Sequence, residues 1–226
     1  MIELVNIRKV FNAGKPNEFV AIHGVSLSID SEKMTVFRGP SGSGKTTLLS
    51  IIGCLARPTS GRIKLYDQEI TSLPERFLTG IRQKTFGFVF QQFNLIKGLT
   101  ALENVMLPAY PSGEKHSSLK RRALELLDTF KIPRKAQSNV EWLSGGEAQR
   151  VAICRALINN PSVIIADEPT ANLDTKLSQE FMDLMGSLKE EGKMIMIASH
   201  DPLVFGLPSI DRIIDLRDGR VDGSGP

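Results

Sequence analysis

Apolar residues come along this chain in strand-length bursts, and the spacing of the bursts sets out its elements. Residues 2–10 and Phe19–Ile29 are rich in β-branched and aromatic side chains. The polar run Asn12-Ala13-Gly14-Lys15-Pro16-Asn17 between them reads as a turn joining two strands. Met34–Arg38 predicts another strand, running into a Gly-rich loop and then a helix from near Lys45 to about Leu55. Residues 61–66 read as a short strand, and Phe86–Phe90 as an apolar, buried run. Beyond Gln92 the pattern changes. Leu119, Ala123, Leu126, Leu127 and Phe130 recur at helical spacing, and Pro108, Pro111, Gly113 and Pro133 punctuate the stretch up to Arg155. Apolar runs return at 162–167 and at Met194–Ser199, with a helix predicted over Thr175–Glu190 between them. Residues 212–216 and 217–221 close the pattern as a hairpin, and the Gly/Ser tail after Asp222 is flexible by composition.

Strands alternating with helices imply an α/β protein with a mainly parallel sheet. We expect one domain over residues 1–226, with 1–91 and 156–226 forming the core and 92–155 a helical lobe inserted into it. Composition fits this picture: 41% apolar and 23% charged residues are ordinary for a globular chain that buries its own core. The two cysteines, Cys54 and Cys154, form no metal-ligand spacing and read as buried thiols of a reducing compartment. A net charge of +3 is too small to mark a nucleic-acid surface, and Lys120-Arg121-Arg122 reads as a solvated helix face. Met1-Ile2-Glu3-Leu4 opens no secretory leader, and no apolar run approaches the roughly 20 residues that cross a bilayer. If the protein works at a membrane, another chain supplies the spans.

Three stretches carry chemistry. Gly39-Pro40-Ser41-Gly42-Ser43-Gly44-Lys45-Thr46 fits G-x-x-x-x-G-K-[ST] between a predicted strand and a predicted helix. Glycines let successive N–H groups curl inward around phosphates, and the helix N-terminus adds its positive end. Lys45 is expected to reach the β- and γ-phosphates and Thr46 to place its hydroxyl on Mg²⁺, with Ser43 and Thr47 as further phosphate contacts. Second, Val163-Ile164-Ile165-Ala166 is a buried run ending in Asp167 and Glu168. Ligands bind beyond the carboxyl ends of such strands, so Asp167 is placed to hold Mg²⁺. Glu168, expected on the opposite side because side chains alternate along a strand, is a candidate general base. Third, Ser144 and Glu147 are spaced as a capping box around Gly145-Gly146. Capping alone asks for no glycine pair, so this helix start reads as a second site prepared for an anion.

Together these residues resemble the ATP-binding cassette (ABC) family, whose signature here reads Leu143-Ser144-Gly145-Gly146-Glu147-Ala148-Gln149-Arg150-Val151. The likeness spans nearly the whole chain in the family's order. Gln91 matches the Q-loop, Ala171-Asn172-Leu173-Asp174 the D-loop, His200 the switch histidine, and Phe11 the adenine-stacking aromatic. His23 and His116 match nothing. The resemblance implies a P-loop NTPase (RecA-like) core, an N-terminal antiparallel β subdomain and an inserted α-helical subdomain. It implies that Phe11, the 39–47 loop, Ser144, Gly145, Gly146, Glu147 and Asp174 contact nucleotide across a head-to-tail, ATP-dependent homodimer. Thr46, Gln91 and Asp167 would hold the metal, and Glu168, His200, Gln91 and Lys45 would carry hydrolysis. Partners would be transmembrane permease subunits met at the cytoplasmic face of the plasma membrane, with Phe93, Asn94, Leu95, Ile96 and Leu99 beside the docking groove. Residues 88–95 and 99–108 are similar to bacterial lipoprotein-release, macrolide-export and cell-division cassettes; Asn139-Val140-Glu141-Trp142 departs from their common forms.

Other cassette work stays open on these residues: mechanical signalling across a membrane, or DNA- and ribosome-associated functions. The DNA class is disfavoured because only 51 residues separate Gln91 from Leu143 and no sustained heptads occur. A kinase reading leaves the signature unexplained, and a GTPase reading lacks an Asn-Lys-x-Asp guanine reader.

Overall fold

A computed structural model describes residues 1–171 and 173–222; Asn172 of the expected D-loop and the tail 223–226 lie outside the described residues. The amino-terminal strands β1 (Ile2–Phe11) and β2 (Phe19–Ile29) pair antiparallel, as two β-rich runs joined by a turn predict. β3 (Met34–Arg38) leads to helix α1 (Lys45–Ile52), which ends three residues earlier than expected, at Gly53. Gly53 leaves no room for a side chain, since a Cβ there would sit 2.5 Å from the Phe88 ring.

Next come β4 (Ser60–Leu65), β5 (Gln68–Glu69), α2 (Glu75–Thr85) and β6 (Phe86–Phe90). The helical region holds α3 (Ala101–Met106), α4 (His116–Thr129) and α5 (Gly145–Leu157), with short 3₁₀ turns at Leu107–Ser112, Pro133–Lys135 and Val140–Trp142. The chain closes with β7 (Val163–Asp167), α6 (Thr175–Glu190), β8 (Met194–Ser199), α7 (Pro202–Phe205), β9 (Arg212–Arg217) and β10 (Arg220–Val221).

The strands fall into two sheets, in the orders β2-β1-β4-β5 and β10-β9-β3-β8-β7-β6. The first is antiparallel; in the second β9, β3, β8, β7 and β6 run parallel and only β10 turns back. β7 and β8 are buried on both faces, which is why they read as continuous apolar runs. Period-2 alternation then splits the core in two. Ile164, Ala166, Ile195 and Ile197 join the helical side with α3, α4, α5 and α6, while Val163, Ile165, Met194 and Met196 join α1 and the antiparallel sheet. On β7 this rule puts Asp167 on the α1 side with Val163 and Ile165. No helix among the described residues is long and apolar enough to cross a membrane.

Candidate active site

β3 delivers Arg38 to the carboxyl end of the parallel sheet, and the 39–44 loop turns there into α1. The turn depends on its glycines. Gly42 and Gly44 hold φ of 80° and 102°, the left-handed region that suits glycine. At Gly39 a Cβ would lie 2.1 Å from the Leu216 carbonyl of β9, so only glycine fits beneath the loop. Gly44 caps α1 without a side-chain hydrogen bond, leaving the first-turn N–H groups of α1 directed at the loop.

Side chains close in around this cradle. The Lys45 ammonium, only 5% exposed, donates to the Gly39 carbonyl at 2.7 Å and to the Pro40 carbonyl at 3.1 Å, and lies 3.2 Å from Glu168 Oε1. The Thr46 hydroxyl donates to Asp167 Oδ1 at 3.0 Å. Burial, opposed by that hydrogen bond, pushes the Asp167 carboxyl above its ordinary range. Ser43 Oγ is buried with no hydrogen-bond partner among the described residues. A fixed, unsatisfied hydroxyl beside inward N–H groups and an ammonium is what a phosphate oxygen satisfies.

Glu168 differs from its expected placement. Strand pairing ends at Asp167, and Glu168 takes φ 48° while its N–H bonds the Ala198 carbonyl. Alternation therefore stops one residue short. The turn brings Glu168 back to the α1 side, with Oε1 at Lys45 and Oε2 2.9 Å from His200 Nδ1. His200 follows β8, half-exposed, so lysine, carboxylate and imidazole form one chain of contacts at the carboxyl end of the sheet.

Phe11 ends β1 with its ring 42% exposed and Lys9 Nζ 5.1 Å from its centroid, an open aromatic face near a cation. Gln91 follows β6 on the surface. Asp174 is the N-cap of α6, accepting from Leu177 N at 2.9 Å. The capping box forms as read: Ser144 Oγ accepts from Glu147 N, and Glu147 accepts from Ser144 N at 2.9 Å. That backbone bond, with Lys135 nearby, holds the Glu147 carboxyl below its usual range. The helix begins at Gly145, three residues before the first apolar-patterned position. The two glycines differ in kind. A Cβ on Gly146 would meet Leu177 of α6 at 2.9 Å, whereas a Cβ on Gly145 meets nothing within 4 Å. Gly146 is thus explained by packing, and Gly145 alone faces open space.

Two polar links were not legible in the sequence. Arg155, on the last turn of α5, donates to the Phe93 and Asn94 carbonyls at 2.5 and 2.6 Å just after Gln91. Gln149 Nε2 donates to the Pro169 carbonyl at 3.2 Å just after Glu168. Only the fold brings these positions together.

The ABC transporter family model matches residues 22–171, a span that holds the 39–46 loop, the Ser144–Glu147 helix start and the Asp167–Glu168 pair. The chain belongs to that family. It is an ATPase cassette with the P-loop fold expected of it. An ABC transporter ATP-binding protein of Thermotoga maritima is 42% identical over 226 residues, covering 99% of this cassette and 94% of the relative. The cassette MJ0796 of Methanocaldococcus jannaschii is 44% identical over 229 residues. Its solved dimer covers 98% of this cassette and 97% of that chain at a TM-score of 0.89, and its dimeric post-hydrolysis state bound to ADP and Pi superposes at 0.90. Macrolide export ATP-binding/permease protein MacB of Chlorobaculum tepidum is 40% identical over 221 residues, which span 33% of that longer protein.

Proposed function

We propose that this cassette is the ATP-hydrolysing subunit of a bacterial export-type or lipoprotein-release-type ABC transporter. Two copies close around ATP and drive a separate membrane permease from the cytoplasmic face. The observation that carries the reading is the Lys45–Glu168–His200 chain lying beside the Thr46–Asp167 pair. The export assignment leans on likeness to the ATP-binding third of MacB.

Each side chain has a task. The loop N–H groups, Lys45 and Ser43 hold the triphosphate, Thr47 adds a contact in the same turn of α1, and Phe11 offers its ring to the base. Thr46 and Asp167 fit Mg²⁺: two hard oxygens sit together, and this cation takes few protein ligands, keeping waters and phosphate oxygens for the rest. When bound, Mg²⁺ neutralises charge developing on the phosphates. Lys45 and His200 fix the Glu168 carboxylate, and Glu168 orients water for in-line attack and accepts its proton. Gln91 joins the site to the helical lobe. Ser144, Gly145, Gly146 and Glu147 serve the nucleotide of the second copy, and Asp174 holds α6 beside that seam.

The test is a pull-down from native membranes with Glu168→Gln in Mg-ATP, a variant expected to bind ATP but scarcely hydrolyse it. Co-purification of a multi-span permease supports the proposal. Recovery of ribosomal or DNA-bound proteins alone, with variant and wild type alike, overturns the transport reading.

A further inference from the structure

Trp142, the single tryptophan of the chain, is 77% exposed, more than any other large apolar side chain among the described residues. Its backbone is nevertheless firmly held. It ends the 3₁₀ turn Val140–Trp142, which Asn139 caps through Glu141 N. Its own N–H bonds the Asn139 carbonyl at 3.1 Å, and Val140 N bonds the Leu99 carbonyl at 3.2 Å. Glu141 accepts from Gly98 N at 3.0 Å, and Thr100 bridges to Asn139. The indole has no hydrogen-bond or ring partner among the described residues. A large apolar group held out to water on a rigid mount costs hydration free energy without return inside one chain.

Its place in the chain sets it beside the start of α5. Leu143 (φ −82°, ψ 142°) and Ser144 (φ −66°, ψ 162°) are both extended. Adjacent side chains of extended backbone point to opposite sides. Leu143 packs onto the core of the helical lobe, so Ser144 points outward, and the exposed Trp142 stands two residues before it at the end of the 3₁₀ turn. The outward side is that of the α5 N-terminus, where the space beside Gly145 is open. A surface that closes over Ser144 and Gly145 comes within reach of an indole two residues away.

We infer that Trp142 is an apolar anchor of the ATP-closed dimer, buried against a second copy of this chain at the rim of that copy's nucleotide site. The inference rests on the dimeric reading above, and a relative with a TM-score of 0.89 to this chain is itself dimeric. Rigid tryptophans next to a polar, charge-recognising centre are the residues that most often dominate an interface.

The experiment uses the Glu168→Gln chain, so that bound ATP persists. Emission of the lone tryptophan and sedimentation are followed together as chain concentration rises in Mg-ATP. The expected result is a shift of emission to shorter wavelength that tracks dimer formation. Trp142→Ala should weaken dimerisation about 30-fold, near 2 kcal/mol, with Trp142→Phe intermediate. ATP binding to the single chain and the melting temperature should stay at their Trp142 values. A dimer that forms with unchanged emission and with wild-type affinity in Trp142→Ala overturns the anchor and leaves the dimeric reading intact. Absence of any ATP-dependent dimer overturns both. A shift seen only when permease-containing vesicles are added reassigns the indole to the permease and also overturns the proposal.

Discussion

The two helix starts of this cassette, at Lys45 and at Gly145, are built for anions in opposite ways. The first is sunk at the carboxyl end of the parallel sheet. Lys45 and Ser43 are buried, Gly39 is pressed against the Leu216 carbonyl, and Glu168 and Asp167 reach in from β7. The second stands out from the surface with its cap satisfied by Glu147, open space at Gly145, and an exposed tryptophan two residues before Ser144. A buried, pre-bonded cradle can bind and do chemistry within one chain, because its donors are fixed and partly desolvated. An exposed helix start gains comparable strength only when another surface excludes water from it. The asymmetry divides labour between binding on one side and assembly on the other.

Substitutions that separate these roles test the division, and the largest effect belongs to the cradle. Glu168→Gln is expected to lower steady-state phosphate release about 10³-fold while labelled ATP still binds. Near-normal turnover would remove Glu168 as the base. Gly39→Ala should come next. Its Cβ would collide with a strand carbonyl, so we expect about 3 kcal/mol of lost stability in urea unfolding, along with loss of nucleotide binding. At the other start, Ser144→Ala removes one member of the capping box and should cost about 1 kcal/mol in the same unfolding measurement, leaving single-chain ATP binding unchanged.

Gly145→Ala sharpens the comparison most, because stability and function should move in opposite directions. The added methyl meets nothing within 4 Å and alanine favours helix, so unfolding should become harder by roughly 0.5–1 kcal/mol. Sedimentation in Mg-ATP should nevertheless show weaker dimers, since that methyl occupies the side offered to the second copy. The smallest effect is a pH dependence in the cradle. Burial first, and the Glu168 charge with it, hold the Asp167 carboxyl above its ordinary range against the Thr46 hydrogen bond and Lys45. The folded chain then keeps that proton more tightly than the unfolded chain, and ionising Asp167 works against folding. The penalty is absent in acid and fully present once pH has risen through the carboxylate range. Melting of the Mg-free wild type should therefore fall relative to Asp167→Asn as pH rises to neutral, while the variant loses Mg-dependent hydrolysis.

Legibility differed between regions for physical reasons. Met34–Arg38, Phe86–Phe90, Thr175–Glu190 and Met194–Ser199 take the bounds read from pattern, because their burial is dense and their ends are marked by turns. α2 went unread although Leu78 and Ile81 recur at helical spacing and pack on the α1-side core, because the rest of Glu75–Thr85 is polar or exposed. α3 had a signal that went unused: Thr100 and Glu103 form a capping box with the same spacing as Ser144 and Glu147. The alternation rule placed Asp167 correctly and failed one residue later, at the left-handed turn of Glu168.

The sequence by itself determined the cradle, the acid pair, the capped signature helix and the family, because each rests on local chemistry: glycine freedom, capping and buried runs with polar ends. Tertiary structure alone decided that the strands divide into two sheets, that Gly146 packs on Leu177, that Arg155 grips the carbonyls after Gln91, and that Glu168 turns to Lys45 and His200. Those contacts join residues 31 to 123 positions apart, where pattern carries no information and only the packed chain fixes distance.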